Sequence, residues 1–188
     1  MKKAFKFGCL GVLIGLVVML FLILVIGGIL SDEDSPTQKS TEETSVIIDA
    51  TQFSRINSAQ LIEIMGQPEI IEDYEWLVPK TNKNIVGKLY IYEKNKFEFV
   101  LFDDTVSRLN VYSGQFWGYD DSTMEFEKND DIFHLFGIEP SKQLKKVADT
   151  DYALRYKDVS EKIDDMWIQD IKDKTFGIAK FTYDSTYY

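Results

Sequence analysis

The chain has 188 residues with 21 basic and 31 acidic side chains, a formal net charge of −10, one histidine and one cysteine. A lone cysteine excludes an intramolecular disulfide, and the scarcity of Cys and His excludes a His–Cys metal site. Lys2, Lys3 and Lys6 stand ahead of everything acidic, so the rest of the chain holds 18 basic against 31 acidic residues, a net of −13. Such a charge repels phosphate backbones, and no nucleic-acid partner is expected.

Residues 1–6 form a basic N-terminus, and residues 7–30 form an unbroken apolar run. At about 1.5 Å rise per residue, that run exceeds the ~30 Å hydrocarbon core of a bilayer and predicts a transmembrane anchor. A cleaved signal has a shorter apolar core and a small-residue site. Ile26 and Gly28 make a poor one, so an uncleaved signal-anchor is favoured over a cleaved leader. The flanking lysines place the N-terminus in the cytoplasm, which predicts a single-pass cell-membrane protein with an extracellular C-terminal domain. Cys9 precedes the apolar core, the wrong order for a lipoprotein attachment cysteine. Residues 31–45 read SDEDSPTQKSTEETS, which offers nothing to a core and predicts a disordered linker.

Two stretches beyond the linker share a punctuation. In residues 57–68, Asn57 or Ser58 caps a short helix, Leu61, Ile62 and Met65 fall on one face, Gly66 stops it and Pro68 forbids continuation. In residues 129–140, Asn129 to Asp131, Ile132, Phe133, Leu135, Phe136, Gly137 and Pro140 recur in that order. Strand-like segments follow each one. They cover residues 74–78, 88–92, 97–102 and 107–112 after the first, and 152–156, 166–169 and 176–183 after the second. Glu93 to Lys96 and Lys172 to Thr175 take the places of hairpin turns. The expected fold is therefore α+β. After the transmembrane helix come two helix-plus-antiparallel-meander repeats, residues 46–126 and 127–188, forming one sheet with helices on one face.

The order helix, Gly66-Gln67-Pro68, aromatic strand, hairpin and a last strand ending in Phe102-Asp103-Asp104 resembles the small repeat of β-lactamase-inhibitor proteins. It is also similar to the outer-membrane assembly lipoproteins that share that architecture. The resemblance covers residues 56–112 and, more loosely, 130–183. There the stop Gly137-Ile138-Glu139-Pro140 is one residue longer and the acidic position falls at Asp184. It implies a non-enzymatic module that presents a sheet face to another protein.

Little in the chain suggests catalysis. His134 sits between Phe133 and Leu135 with no nucleophile pattern nearby. The doublets Asp103-Asp104, Asp120-Asp121, Asp130-Asp131 and Asp164-Asp165 read as turn or cap residues, and no alternating calcium loop exists. No catalytic residue, metal ligand or cofactor is expected, and the chain is read as a non-enzyme. The stretch 112–121 joins the repeats and packs Tyr112, Phe116, Trp117 and Tyr119 among two glycines. Its rings either fill the gap between the repeats or form an exposed surface. On the second reading Tyr90, Tyr92, Trp117 and Tyr119 are the anchors for a partner, Tyr90 and Tyr92 pointing opposite to Leu89 and Ile91. The Tyr187-Tyr188 tail reads as frayed. The function expected is a membrane-anchored, non-catalytic protein-interaction module of a bacterial envelope, binding an envelope or extracellular protein. A cell-wall glycan-binding module is the alternative, and a carboxylate-dependent hydrolase a more distant one.

Overall fold

Asn57 opens the only α-helix among the described residues, α1 (Ser58–Met65), with a reciprocal cap. Its side chain accepts from Gln60 N at 2.9 Å, and Gln60 Oε1 accepts from Asn57 N at 3.1 Å. Gly66, at φ 81°, closes the helix by donating to Ile62 O. The computed structural model describes residues 46–114, 132–172 and 175–188, all within one unit, Glu43–Tyr188.

Eight strands follow: β1 (Ile70–Val78), β2 (Lys83–Tyr92), β3 (Phe97–Phe102), β4 (Thr105–Tyr112), β5 (Lys145–Asp149), β6 (Ala153–Lys157), β7 (Asp165–Gln169) and β8 (Ile178–Thr182). They make one antiparallel sheet in the order β1-β2-β3-β4-β8-β7-β6-β5, so two four-strand meanders meet through their last strands. The β3–β4 turn is Asp103-Asp104, at φ 49° and 59°, the sign a tight hairpin needs at both positions. Between Val100 and Leu101 the register with β4 shifts: Val100 faces Arg108 and Leu101 faces Val106. Ser107 is the extra residue of this bulge, and its hydroxyl donates to Val100 O at 3.1 Å.

One face of the sheet carries the main core. Phe97, Phe99, Leu101, Val106, Leu109 and Val111 meet Met166, Ile168, Ala179 and Phe181 there, under Phe53, Leu61, Leu135 and Phe136. Phe53 lies 4.8 Å from Phe99 and Phe136 lies 4.7 Å from Phe181, centroid to centroid. Burying such rings stabilises at about 25 cal/mol per Å² of apolar surface. Tyr183 is fully buried and donates its hydroxyl to Ala50 O at 2.7 Å, so its one polar atom is satisfied.

The architecture corrects the expected α+β two-repeat fold. The second half has no α-helix among the described residues, only a 3-10 turn, His134–Phe136. Leu135 and Phe136 are both buried although adjacent, a demand that a tight wedge meets and a one-faced helix does not. Gly137 then turns the chain at φ 63°, where a Cβ would stand 3.0 Å from the Asp49 carboxyl carbon. The meanders also differ in size: β1 and β2 have 9 and 10 residues, while β5, β6, β7 and β8 have 5 each. The described residues are mostly sheet.

The membrane expectation is corrected as well. Among the described residues no helix is long and apolar enough to cross a membrane, against the transmembrane, signal-anchor and single-pass reading. The run 7–30 on which that reading rested, the linker 31–45 and the boundary at 126 and 127 lie outside the described residues.

Candidate functional site

Strand alternation sends the remaining side chains to the opposite face, which no helix among the described residues covers. This face has two unlike halves. Over β1, β2 and β3 it is apolar: Leu89, Ile91, Val100 and Phe102 form a second cluster with Tyr74, Trp76 and Ile85. Gly87 makes room for it, since a Cβ there would meet the Phe102 ring at 2.6 Å.

Residues 185–188 cap that half. Trp76 Nε1 donates to Tyr187 O at 2.7 Å, and the Tyr187 ring lies 4.6 Å from Phe102. Tyr188 OH shares a 2.9 Å hydrogen bond with Ser107, the hydroxyl that the β4 bulge presents. Ser185 N donates to Asp164 Oδ2 at 2.9 Å, and Lys80 Nζ donates to Ser185 O. The tail is docked, correcting the frayed reading. Burial pushes the Tyr188 phenol up to about 12, against the opposing pull of the Arg108 charge.

Over β4, β8, β7 and β6 the face is polar, and none of the described residues caps it. A groove of about 1070 Å³ runs there, lined by Trp76, Arg108, Arg155, Asp165, Trp167, Lys180 and Thr182, with Lys80, Lys142, Lys157, Asp158, Glu161 and Asp164 also contributing. The Arg108 guanidinium sits 3.4 Å from the centroid of Tyr188 and 5.8 Å from that of Trp76. Among the described residues its only side-chain hydrogen bonds are two long ones, 3.4 Å each, to Thr182 Oγ1. Lys180 lies over Trp167 at 5.6 Å, and Arg155 lies over the same ring at 4.7 Å. Burial lowers the pKa of both Arg108 and Lys180, and in Lys180 the nearby Arg108 charge adds to the effect.

The groove's carboxylates are mostly engaged. Asp165 takes Arg155 Nη2 at 2.9 Å, Asp164 takes Arg55 at 2.8 Å, and Asp158 takes Lys145 at 2.7 Å. Among the described residues, Lys80, Arg108, Lys142, Lys157 and Lys180 have no carboxylate partner. One more polar atom on this face is unmet: Asn110 Oδ1 is buried without a hydrogen-bond partner, and Asn110 pairs across the sheet with Lys180. Among the described residues no group of three His, Cys, Asp or Glu side chains could hold a metal.

Tyr90 and Tyr92 do point away from Leu89 and Ile91, but toward the helix-covered side. Tyr92 is 3% exposed, with its ring edge-on to Phe99 at 5.7 Å and its hydroxyl buried without a partner, and burial pushes its phenol up to about 12. Tyr90 is half-buried against the same core. Trp117 and Tyr119 lie outside the described residues. Sequence reasoning missed Trp76, Arg108, Arg155, Trp167 and Lys180. For Arg108, Arg155, Trp167 and Lys180 the signal was available as the alternates of the buried positions in β4, β6, β7 and β8, while Trp76 lies in the more polar β1. Asp164 sits in the bend before β7, as a turn residue should, and pairs with Arg55, whereas Asp165 is the first residue of β7 and pairs with Arg155.

Neither a family model nor a curated protein matches the chain. Among solved structures, an extracellular protein containing a SCP domain from Bacillus anthracis str. Ames is similar at 12% identity and a TM-score of 0.38. The match covers 82% of this chain and 50% of that one, so this chain spans about half of its length.

Proposed function

We propose that this protein is a non-catalytic interaction module that holds a protein partner on the uncapped half of the open sheet face. The groove between Arg108 and Arg155 carries this reading. It places Arg108 and Lys180, half-buried cations without a salt-bridge partner among the described residues, beside Trp76 and Trp167, the residue chemistry of binding hot spots. Asp158, Asp164 and Asp165 spend their oxygens on Lys145, Arg55 and Arg155, which suits a scaffold better than a paired-acid hydrolase. The resemblance of residues 56–112 to β-lactamase-inhibitor repeats supports the same use of a sheet. A glycan-binding role draws less support, because cations already occupy the Trp167 ring.

A photo-crosslinking residue in place of Lys142, which lines the groove, should trap one discrete polypeptide from an extract of the source cells. The same probe at Glu63, exposed on α1, should not. Equal trapping at both positions overturns the proposal. Co-sedimentation with purified peptidoglycan would replace it by the glycan reading.

A further inference from the structure

We infer that the groove takes an extended acidic peptide segment, with carboxylates at positions i and i+2 seated on Arg108 and Lys180. This rests on the interaction-module reading and names the chemistry of its partner. The argument begins with charge. The chain has a net charge of −10, yet Arg108 and Lys180 stand together on the open face with no carboxylate partner among the described residues. Asp165 acts on Arg108, and Asp170 and Glu98 act on Lys180, only through space, so burial is not fully offset at either cation and a carboxylate in direct contact lowers that cost. The Arg108 guanidinium is already held against the Tyr188 ring with Nε and Nη2 turned to Thr182, which leaves its remaining N–H groups preorganised for a carboxylate.

Spacing selects the ligand. Arg108 pairs with Thr182 and Lys180 with Asn110, so the two cations are one strand apart and two residues apart along the strands. With strands about 4.8 Å apart and a rise of about 3.4 Å per residue, their Cα atoms are roughly 8 Å apart. Same-side residues of an extended peptide repeat at about 7 Å, which matches. A polyphosphate fits less well. Asp158, Glu161, Asp164 and Asp165 line the same groove, and a continuous run of negative charge would meet them. A peptide brings only two charges there and offers backbone N–H donors to Glu161, the one lining carboxylate without a cation partner among the described residues.

The test uses the full-length chain labelled with ¹⁵N and titrated with the peptide Gly-Ser-Glu-Ser-Glu-Ser-Gly. The expected result is saturable shifts at Arg108 Nε and the Trp76 and Trp167 indoles, weakened at least tenfold in R108Q/K180Q and unchanged in K94Q, which lies outside the groove. The Gln-for-Glu peptide should give no saturable shift. No binding of the Glu peptide, equal binding of the Gln peptide, or undiminished binding by folded R108Q/K180Q overturns the inference. So does equal displacement by inorganic phosphate, which marks a simple anion site, or tighter binding of a single-stranded oligonucleotide. A partner trapped through position 142 without any Glu-peptide response would sink the ligand assignment and leave the module reading standing. Failure of both would remove both.

Discussion

The two halves of the uncovered sheet face are built from the same alternation yet finish differently. Over β1 to β3 the outward residues are mainly Leu, Ile, Val, Phe, Tyr and Trp, with Glu98 turned to Asn110 and Tyr112, and the chain supplies its own lid in Tyr187 and Tyr188. Over β4, β8, β7 and β6 they are Arg, Lys, Asp, Thr and Trp, and nothing described closes them. Apolar strand surface must be covered from within to be stable, whereas charged surface can stay in water until a ligand comes. The Tyr188 ring marks the border, with its hydroxyl on Ser107 and its face under Arg108.

The sharpest break of this contrast is Gly87→Val. A Cβ at 87 meets Leu101 O at 2.2 Å and the Phe102 ring at 2.6 Å, so the apolar half must rebuild. A loss of about 3 kcal/mol is expected, at the upper end for overpacking, read from urea unfolding. Deleting Tyr187 and Tyr188 should cost less, about 2 kcal/mol after the regained chain entropy, and should red-shift Trp76 emission by exposing the indole. If the emission does not move, the tail is not a lid.

A third test uses pH. The Tyr188 phenol titrates near 12 in the folded protein against an ordinary value near 10. The folded state therefore holds this proton more tightly. The associated stability is complete below pH 10 and falls away as pH rises through 10 to 12. The loss should be at most about 2 kcal/mol, because the ring is only partly buried. Tyr188→Phe should flatten that part of the profile, leaving the parts due to Tyr92, also pushed up to about 12, and to Tyr74, Tyr112, Tyr183 and Tyr187, whose phenols burial also raises. The smallest effect belongs to the uncapped half. Arg108→Gln removes a half-buried cation without a carboxylate partner and should shift stability by no more than about 1 kcal/mol in either direction. A large loss would mean that Arg108 holds the tail down and is not reserved for a ligand.

Much of the sheet was legible in the sequence, since aromatic and β-branched alternation marked every strand but one. The missing strand, β5, reads Lys-Lys-Val-Ala-Asp, a charged edge strand with a bulge at Val147. Its composition guards against edge-to-edge pairing and hides it from a search for apolar alternation. The cap of α1 was legible because Asn57, Gln60 and Gly66 act on neighbours. The 3-10 turn at 134–136 was not, because the length of a helix there depends on how two adjacent buried side chains wedge into the core. Alternation separated Tyr90 and Tyr92 from Leu89 and Ile91, yet it carries no information about which side the helix covers. The groove was hidden for a related reason. Arg108 and Thr182 are 74 residues apart, and only the β4–β8 register brings their surroundings together.

That register also shapes how the chain is made. During synthesis β4 leaves the ribosome with one side hydrogen-bonded to β3 and the other bare, and it waits for β8 to arrive much later. A nascent molecule therefore carries an unpaired inner strand, with Val106, Leu109 and Val111 in it, for as long as the second meander is being made. Slowing elongation over the second meander should raise aggregation of the half-made protein more than slowing it over the first.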